Sequence, residues 1–240
     1  MIAAVLNSPF NFGAPPSPPP PGGDPYFANV SLLLHMNGTN GGTSFVDSSS
    51  SAKTITAFGN AQTSTAQSKF NGSSGLFDGA GDEVYTATGL TDLDFGTGDW
   101  TIECFARWAS ISNYQTMYDR GYTDANGLLI QTGNGTGTWI VYTSGSSRVT
   151  ETSSSPSTGV WYHYAIVQSG TTITIYRDGV AAGSGSNTVS LSSASASSIG
   201  AKYTNASFGF AGNLAEFRIT KGVARYTSDF TPPSAAFPDA

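Results

Sequence analysis

The sequence predicts an all-β protein, an antiparallel two-sheet β-sandwich that follows an extended, proline-rich N-terminal arm. Three observations predict this fold class. Only 11% of the 240 residues are charged. Ser and Thr make up roughly a quarter of the chain, which disfavours long helices. From residue 27 onward, short apolar stretches alternate with Gly, Ser, Asn and Asp, as they do between short antiparallel strands.

Composition and charge exclude several function classes. The net charge is −6 with no cluster of Lys or Arg, so we expect no nucleic-acid partner. The opening MIAAVLNSPFNFG has no basic region, and we expect no signal peptide. No apolar run reaches the length of a spanning helix, and we expect no membrane partner. The single cysteine, Cys104, excludes an internal disulfide.

Prolines divide the chain into three parts. Eight of the twelve prolines lie in residues 9–25, where fixed φ angles favour an extended polyproline II segment. We therefore predict an apolar anchor over 1–12, a Pro/Gly-rich linker over 13–26 and one domain over 27–240. The anchor would bind through its apolar side chains, which are Ile2, Val5, Leu6, Phe10 and Phe12.

The clearest strand runs from Trp100 to Trp108. Alternation places Trp100, Cys104 and Trp108 on its inward face, so we expect the Cys104 thiol to be buried. Phe105 breaks the alternation of apolar and polar residues. Glu103 is expected to point outward and to stand alone.

Two hairpins and a closing strand follow. Residues 128–131 and 139–142 flank a glycine-rich connection, and residues 161–168 and 171–177 form a second pair. Asp178-Gly179 is typical of a type I′ turn. In the last strand, 213–220, the alternation predicts that Ala215 faces the same way as Phe217 and Ile219.

Four segments, in this order, resemble the laminin-G-like or concanavalin A-like jelly roll, a family that includes the pentraxins. They are GLFDGAGDEVYT at 75–86, FGTGDWTIECFARW at 95–108, GVWYHYAIVQSGTTITIYRDGVAAG at 159–183 and FAGNLAEFRITKGVARY at 210–226. The resemblance implies a concanavalin A-like jelly roll over roughly residues 30–235. It does not name a ligand, because this fold hosts lectins, enzymes and adhesion modules.

A narrower resemblance is to laminin-G-like domains of tailed-phage structural proteins. It rests on LLLHM at 32–36 and ARYTSDFTPP at 224–233. This resemblance implies a virion surface protein that is made in the host cytoplasm.

Two sets of site residues follow from the family resemblance. YTDANGLLI at 122–130 resembles the pentraxin loop that binds calcium, which makes Asp124 and Asn126 candidate calcium ligands. The partner loop at 199–207 lacks acids, and a simple turn is the alternative role for Asp124 and Asn126. The same rim would present Tyr122, Tyr203 and Asn205, a combination of aromatic rings and an amide that suits glycan binding.

We predict no catalytic residues. The only histidines, His35 and His163, lie in apolar strand-like runs, and the paired acids of glucanases of this fold are missing. Asp92, Asp94 and Asp99 precede a strand, where short acids commonly cap turns.

The preferred hypothesis is a non-enzymatic capsid-decoration protein, a homo-oligomer whose arm docks on the major capsid protein or another virion protein. The jelly roll would then face outward and could bind surface glycans. The alternatives are a tail-fibre or appendage adhesin, and a free carbohydrate-binding lectin module.

Overall fold

The structure, a computed structural model, describes residues 23–203 and 207–240. The predicted anchor over 1–12 and most of the predicted linker lie outside these residues. In the part of the chain that is described, the regular elements are β-strands and two short 3₁₀ helices, Phe27–Asn29 and Thr91–Leu93, so the all-β prediction is confirmed. No helix among the described residues is long and apolar enough to span a bilayer.

Within the described residues, fifteen strands form two antiparallel sheets that pack as a sandwich. The eight-stranded sheet has the order β13-β12-β11-β6-β15-β4-β3, with β1 also paired to β15. The seven-stranded sheet has the order β10-β9-β8-β7-β14-β5-β2. The strands are β1 Val30–Leu34, β2 Thr56–Phe58, β3 Gln62–Ser64, β4 Ser74–Asp78, β5 Glu83–Tyr85, β6 Trp100–Trp108, β7 Thr116–Arg120, β8 Leu128–Thr132, β9 Trp139–Thr143, β10 Ser146–Thr150, β11 Trp161–Ser169, β12 Thr172–Arg177, β13 Val180–Ser186, β14 Ser198–Ile199 and β15 Ala211–Lys221.

The space between the sheets is filled by large apolar side chains. Trp100, Cys104 and Trp108 of β6 all lie in this core with no exposed surface, which confirms the predicted inward face of that strand. The ring centroids of Trp108 and Trp139 are 5.4 Å apart, so the two sheets contact each other through aromatic side chains. Burial also raises the pKa of the Cys104 thiol far above its usual value.

The predicted hairpins are confirmed. Strand β8 pairs with β9, and β11 pairs with β12, in antiparallel register. Asp178 and Gly179 have φ values of 50° and 79°, the left-handed region that a type I′ turn requires. The chain packs closely against this turn, because a Cβ on Gly179 would clash with the carbonyl oxygen of Phe230.

The predicted facing of Ala215 is wrong. Glu216 has φ 53°, and the register between β15 and β6 shifts between Ala215 and Arg218. A bulge of this kind reverses the side chain alternation along a strand. Phe217 therefore points into the core between the sheets, while Ala215 packs on the opposite side of the eight-stranded sheet.

The outer side of the eight-stranded sheet is covered by the two ends of the described chain, residues 23–29 and 222–240. We call this side the terminal face. Phe105 packs there with Ala215 and Phe237, which explains why it interrupts the alternation in β6. Further along, Tyr226 and Phe230 cover apolar residues of β11 and β12. The Asp24 amide donates to the carbonyl oxygen of Ala240 at 2.6 Å, so both ends meet on this face.

Candidate functional site

The outer side of the seven-stranded sheet carries a row of side chains from neighbouring strands. Tyr85 is opposite Ser198, Ser198 is opposite Asp119, Asp119 is opposite Leu129, and Leu129 is opposite Tyr142. Directly opposed residues in antiparallel strands point to the same side of the sheet. The adjacent residues in these strands lie in the core, so this row points away from it.

Four tyrosines gather along this row. The rings of Tyr85 and Tyr203 are 5.4 Å apart, and the rings of Tyr122 and Tyr142 are 5.8 Å apart, both in edge-to-face arrangements. All four side chains are partly exposed. We call the surface formed by these tyrosines, with the neighbouring residues Tyr114, Lys202 and Phe208, the aromatic face.

Asp119 holds two loops of the aromatic face together. One carboxylate oxygen accepts a hydrogen bond from the Tyr122 amide at 2.9 Å, and the other accepts one from the Tyr203 amide at 3.2 Å. The side chain is buried, and burial raises its pKa to about 6 although both amide bonds favour the charged form. Asp119 thus fixes the loops that carry two tyrosines.

A second acid, Glu83, lies beneath the same face. It is only 3% exposed and accepts a hydrogen bond from the Ser198 hydroxyl. Burial, with a smaller contribution from the nearby Asp119, raises its pKa to about 7 against the effect of the Ser198 hydrogen bond. Over the described part of the chain, the charged group that shifts the Glu83 pKa is the anion Asp119, and no cation contributes.

The rim of the aromatic face contains a cavity of about 380 Å³. Tyr114 and Phe208 stand at its edge with 40% and 42% of their surface exposed, and their rings meet edge to face at 5.5 Å. Burial raises the pKa of Tyr142, with smaller contributions from Tyr122 and Tyr114. The polar residues of the cavity wall are Asp78, Ser110, Ser112, Asn113 and Gln115.

Lys202 joins the rim to the centre of the aromatic face. Its ammonium group lies 4.0 Å from the ring centroid of Tyr122 and 4.9 Å from that of Phe208. Burial lowers its pKa, and Asp119 partly opposes that effect. At these distances the ammonium group is attracted to the faces of both rings.

The structure brings together two of the three residues predicted to bind glycans. Tyr122 and Tyr203 both belong to the aromatic face, linked through Asp119. Asn205 lies outside the described residues, and so do the anchor residues Ile2, Val5, Leu6, Phe10 and Phe12. The structure therefore does not test the roles predicted for Asn205 and the anchor residues.

The candidate calcium ligands join two loops. The Asp124 carboxylate accepts hydrogen bonds from the hydroxyls of Ser193 and Ser195, and the Asn126 amide donates to Ser192 at 3.2 Å. Calcium requires six to eight oxygen ligands. Over the described ranges, no group of three or more His, Cys, Asp or Glu side chains is arranged to hold a metal ion. These hydrogen bonds fit a role in holding the two loops together better than they fit a calcium site. Calcium binding stays a prediction.

Sequence reasoning missed Asp119, Tyr114 and Phe208. Asp119 follows an apolar residue within a strand, and only the register with β8 and β14 shows what it faces. Tyr114 and Phe208 are 94 positions apart and meet only in the folded chain. The signal that could have found them is local: each is an aromatic residue in a stretch of Ser, Asn and Gly rather than in an apolar run.

The terminal face is built differently, and it corrects the prediction that Glu103 stands alone. Glu103 is fully buried and accepts hydrogen bonds from Arg218 at 2.8 and 3.0 Å and from the Tyr226 hydroxyl at 2.9 Å. Burial alone would raise its pKa, but Arg218, together with His163 and Arg225, holds it far below the usual range.

Asp24 completes this network. It receives hydrogen bonds from Arg218 at 2.9 Å and from Arg225 at 2.6 and 2.9 Å. His163, from one of the apolar strand-like runs, is buried against Phe105 at 4.8 Å between ring centroids. His35 lies 2.7 Å from both Glu216 and Asp239, and the Glu216 carboxylate, with that of Asp239, raises the His35 pKa to about 9.

Comparisons with known proteins agree with this architecture. A family model described as the concanavalin A-like lectin/glucanases superfamily matches residues 78–225. A search of curated proteins finds no match.

Several solved structures have a similar fold. Domain 4 of AbnA, a GH43 extracellular arabinanase from Geobacillus stearothermophilus solved with arabinotriose, has a TM-score of 0.60 at 17% identity, covering 82% of this chain and 94% of that one. The binding domain of Paraclostridial Mosquitocidal Protein 1 has a TM-score of 0.62 at 14% identity, covering 82% and 49%. Trypanosoma rangeli sialidase in complex with sialic acid has a TM-score of 0.57 at 14% identity, covering 80% and 31%. The chain therefore spans about half of the toxin binding domain and about a third of the sialidase.

Proposed function

The chain belongs to the concanavalin A-like lectin/glucanases superfamily, and from that premise we propose that it is a non-enzymatic carbohydrate-binding domain whose aromatic face takes the glycan. The observation that carries this proposal is the rim cavity, where exposed Tyr114 and Phe208 stand beside polar side chains. Aromatic rings with an apolar surface and a polar partner nearby are suited to ligands that have both characters, as sugars do.

The acids of the aromatic face favour binding over hydrolysis. A glycosidase needs two carboxyl groups that flank the scissile bond. Asp119 and Glu83 are 4% and 3% exposed, and their oxygens accept hydrogen bonds from two backbone amides and a serine hydroxyl. In that position they support the loops and the sheet, and they do not reach a ligand lying on the surface.

A glycan array followed by titration of each hit tests this proposal. We expect the full chain to bind a defined set of oligosaccharides, and Tyr114→Ala or Phe208→Ala to weaken that binding about tenfold or more. Val180→Ala is the matched control, because Val180 is 59% exposed and belongs to the eight-stranded sheet. An array without hits, or hits that both aromatic variants retain, would contradict the proposal.

The similar structures support the choice of ligand class. The arabinanase domain was solved with arabinotriose and the sialidase with sialic acid. Both are carbohydrates, one neutral and one acidic. We therefore include neutral and acidic oligosaccharides in the array.

The second candidate function is display on a virion, as a capsid decoration held by the N-terminal arm and made in the host cytoplasm. The phage-like segments at 32–36 and 224–233 support it, and so does the position of Gly23. A Cβ on Gly23 would lie 3.0 Å from the carbonyl oxygen of Ala240, so the arm joins the domain on the terminal face. That face is on the opposite side of the sandwich from the aromatic face, an arrangement in which a docked arm leaves the aromatic face free.

Binding to virions that lack this protein tests the display proposal. We expect the full chain to occupy capsids stoichiometrically and a chain without residues 1–22 to fail. The deletion ends before Asp24, because that residue pairs with Arg218 and Arg225 inside the fold. Tyr114→Ala is the control and should still bind capsids. Capsid binding by the truncated chain would contradict arm docking, and binding to tails instead would favour an appendage adhesin.

A further inference from the structure

A cleft of about 660 Å³ opens on the terminal face between residues 23–26 and 225–238. Its size falls within the range of ligand-binding sites in proteins. Neither the glycan-binding proposal nor the display proposal uses this cleft. The aromatic side chains that line it are Tyr26, Tyr226, Phe230 and Phe237.

The walls of the cleft are fixed by contacts within the fold. The Tyr226 and Phe230 rings stack with centroids 3.6 Å apart and planes inclined by 7°. The Phe237 ring centroid lies 3.7 Å from the Arg218 guanidinium. Arg225 lies 5.4 Å from the Tyr26 ring centroid, so the aromatic lining comes from both the N-terminal and the C-terminal segments.

The charged groups at the base of the cleft are already paired with one another. Arg218 and Arg225 both donate to Asp24, and Arg218 also donates to Glu103. An anionic ligand would have to compete with these buried carboxylates. What the cleft offers an occupant is therefore aromatic and apolar surface.

Aromatic-lined grooves of this kind bind proline-rich segments in the polyproline II conformation. The chain itself carries such a segment, PPSPPPP at residues 15–21. At about 3.1 Å per residue, the segment would extend roughly 22 Å. It is joined to the cleft through Gly22 and Gly23, and Gly23 lines the cleft.

The short connection favours an intramolecular contact. Glycine adopts both signs of φ, so two consecutive glycines allow the chain to reverse direction. A short tether also gives an effective concentration in the millimolar range, which makes even a weak contact form. We propose that residues 15–21 fold back and dock in the cleft of their own chain, forming a latch that fixes where the first residues leave the terminal face.

Disulfide trapping in the full chain tests this latch. Ser17→Cys places a thiol within the proline-rich segment, and Ser234→Cys places one at the exposed edge of the cleft. Cys104 does not interfere, because it is fully buried. We expect rapid formation of an intramolecular disulfide, seen as a monomer on non-reducing electrophoresis and mapped by mass spectrometry.

Two controls separate docking from mere tethering. The first carries the same cysteine pair with Pro18, Pro19, Pro20 and Pro21 replaced by Ser, which keeps the tether length and removes the polyproline preference. We expect disulfide formation to slow about tenfold in this variant. The second pairs Ser17→Cys with Ser147→Cys, an exposed serine of the seven-stranded sheet, and should not cross-link within one chain.

An unchanged rate in the serine-substituted variant would overturn the proposal, because the contact would then reflect tether length alone. Predominant disulfide-linked dimers would also overturn it and would assign the cleft to the arm of a second copy. Neither result depends on whether the aromatic face binds glycans or whether the arm binds virions.

Discussion

Both outer faces of the sandwich bury acidic side chains, but the pKa values of these acids shift in opposite directions on the two faces. On the terminal face, Glu103 and Asp24 pair with Arg218 and Arg225, and the pKa of each acid is lowered despite burial. On the aromatic face, Glu83 is buried beneath a serine hydroxyl, and its pKa is raised to about 7.

This difference shows what each face is built to do. The terminal face joins segments from both ends of the described chain, and its salt bridges hold those ends to the eight-stranded sheet. The aromatic face uses its carboxyl groups to position loops, while Lys202 lies over aromatic rings. The terminal face therefore closes the fold by holding both chain ends on the sheet, and the aromatic face keeps aromatic side chains accessible.

The largest difference in stability between the two faces should appear when one glutamate on each face is replaced by glutamine. The terminal face comes first, because its change should be the larger one. Glu103→Gln leaves Arg218 and Arg225 buried with only Asp24 as a full negative charge. Removing one partner of a buried ion pair costs about 3–5 kcal/mol of unfolding free energy. Urea unfolding at pH 7 measures this loss. A loss below 1 kcal/mol would show that the network contributes little to stability.

A double-mutant cycle sharpens this result. Arg218→Met alone should destabilise the protein to a similar degree, because it leaves Glu103 without its closest cation. The variant with both Glu103→Gln and Arg218→Met should lose less than the sum of the two single losses. Additive losses would contradict direct coupling between the two side chains.

Glu83→Gln should raise the free energy of unfolding, whereas Glu103→Gln lowers it, and the change should be smaller. The folded-state pKa of Glu83, about 7, is above the ordinary value of 4.5, so the stabilising contribution of this group is fully present below pH 4.5 and is lost as pH rises through 7. The glutamine keeps an acceptor for the Ser198 hydroxyl and has no charge to bury. We expect a gain of about 1–3 kcal/mol at pH 8 and little change at pH 4.5.

Urea unfolding from pH 4 to pH 8 checks this prediction. The variant should show a flatter pH dependence than the wild type between pH 4.5 and 7. Glu103→Gln serves as the matched control, because it should remain destabilised across the same range. A Glu83→Gln protein that is less stable at pH 8 would mean that the ionised carboxylate stabilises this face.

The sequence was sufficient to predict the fold but only part of the site. Strict alternation over Trp100–Trp108 and the Asp178-Gly179 turn depend on nearby residues, so both could be predicted. The facing of Ala215 could not, because the bulge at Glu216 breaks the two-residue period.

Pairings between residues far apart in the chain could not be predicted from the sequence either. Glu103 and Arg218 are 115 positions apart, and no local pattern pairs these two side chains. Tyr122 and Tyr203 were predicted as rim residues from a resemblance. Asp119 joins them by accepting hydrogen bonds from their backbone amides, and such bonds cannot be predicted from residue types. The contribution of Tyr114 and Phe208 likewise needed the folded chain.

The smallest effect should come from the cation of the aromatic face. Lys202→Met removes an ammonium group that lies over Tyr122 and Phe208 and keeps a side chain of similar length. A cation–π contact at a partly exposed site contributes about 0.5–1 kcal/mol, so we expect a loss of that size or less in urea unfolding. Arg218→Met on the terminal face is the comparison and should cost several times more, because its carboxylate partners are buried. Similar losses for the two variants would mean that Lys202 is a structural cation like Arg218, and the division between a closing face and an accessible one would then fail.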